Sequence, residues 1–138
     1  PFRLRTSFQH AGCRIHYQGV LQRDAIPALD RSAHVLFSAD INAACPNSVI
    51  EALACGLPVV SLDTGALREL VPAQAGCIAA YGGNVWNLDP PDIFGLADCA
   101  RQVLQNQESY RSGARLWAEQ TFSLDLMVEK YLQVLLGD

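Results

Sequence analysis

The sequence predicts a three-layer, Rossmann-like α/β domain built on a short parallel sheet. Three observations carry that prediction. Short apolar strand-like runs alternate with segments of helical period, the order that a parallel α/β sheet requires. One run, Pro58–Leu62 (PVVSL), is nearly continuous in apolar residues rather than alternating, the pattern of a strand covered by helices on both faces. Glycines punctuate the pattern where a helix must stop, at Gly56, and where a strand must turn tightly into a helix, at Gly65.

Each element follows from local chemistry. Residues 1–13 show no clear period and read as an irregular start. A βα core spans 14–80. In Arg14–Gln18 the alternation sets Ile15 and Tyr17 on one face of a strand. Arg23–Ala33 is helical, with Ile26, Leu29 and Ala33 at helical spacing and Pro27 in the first turn, where no N–H is missed. His34–Ser38 is a short apolar strand and 39–46 a loop ending at a proline. A helix over 48–55, the strand 58–62, a helix over 66–71 and a strand over 77–80 complete the core. Residues 81–91 hold Gly82-Gly83 and Pro90-Pro91 and form a loop. Closing helices occupy 92–138, with segments at 92–105, 107–121 and 124–136. In the last, Leu126, Tyr131, Val134 and Leu135 give an apolar face.

Composition excludes several classes. At 138 residues the chain is one domain or less, and half its residues are hydrophobic, so it is globular rather than disordered. The net charge is −4 and the basic residues are scattered, which leaves no nucleic-acid footprint. The five cysteines are odd in number and form no CxxC pair, so they read as buried small hydrophobes of a reducing cytoplasm rather than as a disulfide framework. His10, His16 and His34 stand far apart without metal-ligand spacing. No GxGxxG fingerprint and no nucleophile elbow occur, and no cofactor is called for.

Loops on the C-terminal edge of a parallel sheet are where such folds bind ligands. Loop 39–47 and turn 63–65 both fall on that edge. Loop 39–47 feeds a helix whose start, Pro46-Asn47-Ser48, offers free N–H groups and a positive dipole end to a phosphate. Glu51, one turn in, is placed to bind a ribose diol while the helix start holds a diphosphate. A local alternative stands beside this: Ser48 and Glu51 also spell a capping box, in which Glu51 satisfies the Ser48 N–H.

The run 45–71 is similar to the C-terminal, donor-binding half of GT-B glycosyltransferases of family 4, the group 1 glycosyltransferases. The resemblance is carried by Cys45-Pro46-Asn47-Ser48, Glu51-Ala52-Leu53-Ala54, Cys55-Gly56-Leu57-Pro58-Val59-Val60, and Gly65 with Glu69. It implies a donor site made of Glu51 on the ribose, Cys45, Pro46, Asn47 and Ser48 at the diphosphate, and the Gly19-Val20 loop against the base. The family often carries a second glutamate eight positions before the ribose glutamate, touching the donor sugar; here that position is Ala43, which the resemblance places in the donor site but which brings no carboxylate to the sugar.

The resemblance further implies a single, partial nucleotide-sugar-binding domain over 1–138. Upstream sheet strands, an acceptor-binding N-terminal domain and the catalytic groups would lie elsewhere in a longer enzyme. That enzyme would transfer sugar from a UDP- or GDP-type donor, with retention and without a metal, and could associate peripherally with a membrane. This chain alone would bind the nucleotide and catalyse nothing. Two other readings remain open: a degenerate binding module without turnover, and a nucleotide-sugar epimerase of the same fold.

Overall fold

In a computed structural model, residues 7–10 and 12–137 are described. The element order is β1 (Ser7–His10), β2 (Cys13–His16), α1 (Ile26–Ser32), β3 (Leu36–Ser38), α2 (Asn47–Ala54), β4 (Val59–Leu62), α3 (Leu67–Leu70), β5 (Gly76–Ala79), α4 (Ile93–Gln105), α5 (Gln107–Thr121) and α6 (Leu124–Leu136). One-turn 3-10 segments at Arg23–Ala25 and Val85–Asn87 precede α1 and α4.

β3, β4 and β5 form a parallel sheet in that order, with Val59 opposite Leu36 on one side and opposite Gly76 on the other. β4 is the central strand, and all four of its residues are buried. Strand side chains alternate between faces, so β4 feeds two cores. Val59 joins Val49 and Leu53 of α2, Leu67 of α3 and Ala114 and Ala118 of α5. Val60 and Leu62 join Leu96, Cys99 and Val103 of α4. Helix, sheet and helix are the three layers that the sequence predicts, and the double coverage is why Pro58–Leu62 reads as continuously apolar.

α2 ends as its sequence requires. Gly56 has φ of +68°, and the amides of Gly56 and Leu57 bond back to the carbonyls of Leu53 (2.9 Å) and Ala52 (2.8 Å). This paired closure needs a left-handed residue after the helix, which glycine adopts without strain.

Three expectations are corrected. Residues 7–10, inside the start read as irregular, form β1, which pairs antiparallel with β2, Phe8 opposite Ile15. The strand expected at 14–18 is therefore half of a hairpin; period-two alternation marks a strand without fixing its partner or direction. Residues 1–6 and 11 lie outside the described part. Second, Cys77 and Cys99 are joined in a disulfide, Cα–Cα 5.3 Å, between β5 and α4. Cys77 lies opposite Val60, on the strand face that α4 covers. Cys13 and Cys45 are exposed and Cys55 half-buried, so none of the five is merely a free core hydrophobe. Third, α6 closes nothing: every one of its residues is exposed, Tyr131, Val134 and Leu135 of its apolar face included.

Among the described residues no helix is long and apolar enough to cross a membrane.

Candidate functional site

Two rim loops meet at the C-terminal end of the sheet. Asp40 accepts the Asn42 N–H on Oδ1 (3.0 Å) and bends loop 39–46. The Thr64 hydroxyl donates to the Asp40 carbonyl (2.8 Å), and the Ala66 N–H donates to the Ala43 carbonyl (2.8 Å). Between these bonds sits Gly65, with φ of +54°. A Cβ there would fall 2.1 Å from the Ala43 oxygen. Glycine is required twice over, for the backbone angle and for the contact. The turn after β4 thus clamps the loop that leads into α2.

That clamp sets the frame of α2. Pro46 is the N-cap residue, with φ of −72° and ψ of 108°, and no side chain caps the helix. Asn47 and Ser48 are then the first two helical residues. The Val49 N–H reaches the Pro46 carbonyl (3.0 Å), whereas the Asn47 and Ser48 N–H groups have no acceptor among the described residues. Two free amides therefore open on the rim at the positive end of the helix.

The frame also removes the capping-box alternative. A capping box needs Ser48 at the N-cap and Glu51 three residues into the helix; with Pro46 at the N-cap both stand two positions too deep. The Glu51 carboxylate makes no hydrogen bond among the described residues. It is half-buried and lines a cavity of about 260 Å³ with Arg23, Ile26, Pro27, Asp30, Ala54 and Cys55. Burial pushes the Asp30 carboxyl above its ordinary value, and the Glu51 charge adds to that. Burial also raises the Cys55 thiol, with the Asp30 charge contributing.

The remaining named positions divide. Cys45, Pro46, Asn47 and Ser48 run together at the head of α2, with Cys45 exposed. Gly19, at φ of +70°, and Val20, 98% exposed, form a free-standing loop ahead of Arg23 and are not among the residues lining the Glu51 cavity. Ala43 is corrected as a side-chain contact. It is 1% exposed and packed with Val49, Leu53 and Leu67, so its methyl belongs to the core and its carbonyl is taken by Ala66.

Arg23, Asp30 and Cys55 are site neighbours that sequence reasoning missed. For α1 the signal exists: positions 23, 26, 27 and 30 fall on one face at helical spacing. Among the described residues no group of three or more His, Cys, Asp or Glu could hold a metal ion.

A parallel sheet with helices on both faces, a proline-headed helix with free amides on the rim and a half-buried carboxylate one turn in define a Rossmann-like α/β half-fold with a candidate site on its rim. The chain belongs to the group 1 glycosyl transferases, whose family model matches residues 3–106. It is 29% identical over 111 residues, 79% of its length, to a 2-deoxystreptamine N-acetyl-D-glucosaminyltransferase of Streptomyces fradiae. The chain spans only 24% of the length of that curated relative. No solved structure matches it.

Proposed function

We propose that this chain is the donor-binding part of a glycosyltransferase that moves a sugar from a nucleoside-diphosphate sugar to an acceptor. Family membership supports sugar transfer. The observation that carries the finer reading is the pairing of two unbonded amides, Asn47 and Ser48, with an uncapped carboxylate, Glu51, one turn away. The amides and the helix dipole hold the diphosphate and stabilise the charge that develops as it leaves. Glu51 accepts from the ribose hydroxyls and fixes the nucleotide's register. Cys45 and Pro46 shape the approach to the amides, and the Gly19-Val20 loop covers the base.

In this reading the donor is of UDP or GDP type, and transfer proceeds with retention and without a metal. The catalytic groups and the acceptor-binding domain lie in a part of the enzyme other than this single, partial domain. The isolated chain binds and does not turn over. The S. fradiae relative makes N-acetylglucosamine the first donor sugar to try. A second reading, a binding module without catalysis, draws on Ala43, which puts a core methyl where the family often has a carboxylate.

The test is ligand-observed NMR with UDP, GDP and ADP, on the wild-type chain and on Glu51→Ala. One nucleotide should bind, and the substitution should weaken it roughly 10- to 100-fold, the worth of hydrogen bonds to a charged group. Equal binding to both proteins would remove Glu51 from the site. Turnover of a nucleotide sugar by the whole enzyme separates transfer from binding alone.

A further inference from the structure

A second cavity, of about 390 Å³, opens on the same rim, lined by Ile41, Asn42, Asp63, Thr64, Gly65, Val85, Trp86 and Leu88. Its volume lies within the roughly 300–1,000 Å³ range of small-molecule sites. We propose that this cavity is a subsite for a neutral pyranose ring of the acceptor, with Trp86 as its stacking platform.

The wall comes first. Trp86 is 86% exposed and Leu88 70% exposed, an unusual display for two large apolar side chains in the one connection between β5 and α4. The loop is not loose. The Asn84 side chain accepts the Trp86 N–H (2.9 Å) and the Asn87 N–H (3.3 Å), and Asp89 Oδ2 accepts the Asn84 N–H (2.8 Å). The buried Tyr81 donates its hydroxyl to the Asp89 carbonyl (2.7 Å). Leu88 is held at φ of 55°, the one non-glycine residue with positive φ among those described. So many bonds, spent to keep a left-handed leucine and a bare indole in place, describe a preorganised surface.

The floor selects the occupant. Asp63 is bound by Arg68, but both Arg68 contacts fall on Oδ2, which leaves Oδ1 to accept from a ligand hydroxyl. The Asn42 side-chain amide makes no hydrogen bond among the described residues. An all-apolar occupant would leave that carboxylate oxygen and amide unpaired. A phosphate, itself an acceptor, has no hydrogen to give the Asp63 Oδ1. A pyranose satisfies both sides: its C–H face lies on the indole, and its hydroxyl edge reaches the carboxylate oxygen and the amide.

The cavity and the donor site share one loop. Ile41 and Asn42 line the cavity, and Cys45–Ser48 open α2 a few residues later, so a ring seated here lies beside the diphosphate end of the donor. Calling this ring the acceptor's rests on the donor reading; the existence of the subsite does not.

The chain has two tryptophans, which makes the test internal. Trp117 donates its indole N–H to the Leu70 carbonyl (2.9 Å) and serves as the reference; Trp86 reports the cavity. Titrating the methyl glycosides of glucose, galactose, mannose and N-acetylglucosamine into the ¹⁵N-labelled chain should move the Trp86 indole resonance saturably for at least one sugar and leave Trp117 unmoved. Saturation-transfer signals from that sugar should fall roughly tenfold in affinity with Trp86→Ala and recover with Trp86→Phe. Its binding should be unchanged by saturating nucleotide sugar. The proposal is overturned if no sugar moves Trp86, if the resonance moves with chain concentration alone, which assigns the patch to self-association, or if nucleotide sugar displaces the glycoside, which assigns the cavity to the donor. Sugar binding that survives while UDP, GDP and ADP all fail to bind would sink the donor reading and leave this subsite standing.

Discussion

Gly65 and Asp30 show how single residues set up the site. At Gly65 any side chain meets the Ala43 carbonyl, and the backbone angle is left-handed. Gly65→Ala should therefore destabilise the domain by about 2 kcal/mol or more, measured by urea unfolding. It should also weaken nucleotide binding, because the loop pushed away is the one that frames α2. Asp30 is a different case, since its cost is electrostatic. Its folded pKa is raised by burial and then by Glu51. Between the ordinary carboxylate range and that raised value the native state holds more protons than the unfolded one, so stability falls as pH rises through the window and stays lowered above it. Asp30→Asn should accordingly raise the melting temperature at neutral pH and abolish this fall of stability with rising pH. Glu51→Gln should give a smaller change of the same sign. A lower melting temperature for Asp30→Asn at neutral pH would mean that the ionised carboxylate is stabilised by an interaction absent from this arrangement. These residue roles were unevenly legible. The strain at Gly65 is written in its place between a strand and a helix. The fate of Glu51 was not, because its spacing from Ser48 fits a cap and a ligand equally; the choice is made by Pro46, which starts the helix early and carries both residues past the capping positions.

At the scale of elements, the parallel core is legible and the edges are not. β4 and the stop of α2 follow from composition: a strand buried on both faces is almost wholly apolar, its one polar residue Ser61 donating its hydroxyl to the Ser38 carbonyl, and a helix closing through Gly56 needs that glycine. The β1–β2 hairpin was missed because alternation carries no information about which strand lies alongside. The disulfide was missed for a related reason. Cys77 and Cys99 are 22 residues apart, and only the packing of α4 on β5 brings them together. This bond closes a loop between the sheet and its covering helix, and loops of that size restrict the unfolded chain by about 3 kcal/mol. Reduction should therefore lower the unfolding free energy by about that amount, as should Cys77→Ala together with Cys99→Ala. Thiol counting on the denatured, unreduced chain should find Cys13, Cys45 and Cys55 free. Five free thiols with unchanged stability would show that the two sulfurs are not bonded.

Across the whole molecule, the two cores and the rim form a unit to which α6 contributes no buried residue. β4 ties both cores to the sheet, the Gly65 turn ties the sheet to the site loop, and α5 reaches back to the sheet's other helices: Trp117 donates to Leu70 of α3, and Arg111 donates to the Ala33 carbonyl at the end of α1 (2.8 Å). Phe122 ends this system, its ring edge-on to Trp117 with centroids 6.4 Å apart. Beyond it the apolar period of 124–136 continues, but none of those side chains is buried. Helical periodicity identifies an apolar face and says nothing of what lies against it, which is why the sequence reading made α6 a closing helix. Stability tracks area removed from water, so a chain ending at Phe122 should unfold within about 2 °C of the full chain and bind nucleotide equally well. A chain ending at Thr121 should lose more, because it gives up the Phe122 ring against Trp117. Differential scanning calorimetry on the three chains decides the matter: a fall of roughly 10 °C on removing 123–138 would mean that α6 buries apolar area against this domain in solution, and the boundary of the cooperative unit would move from Phe122 to the end of the helix.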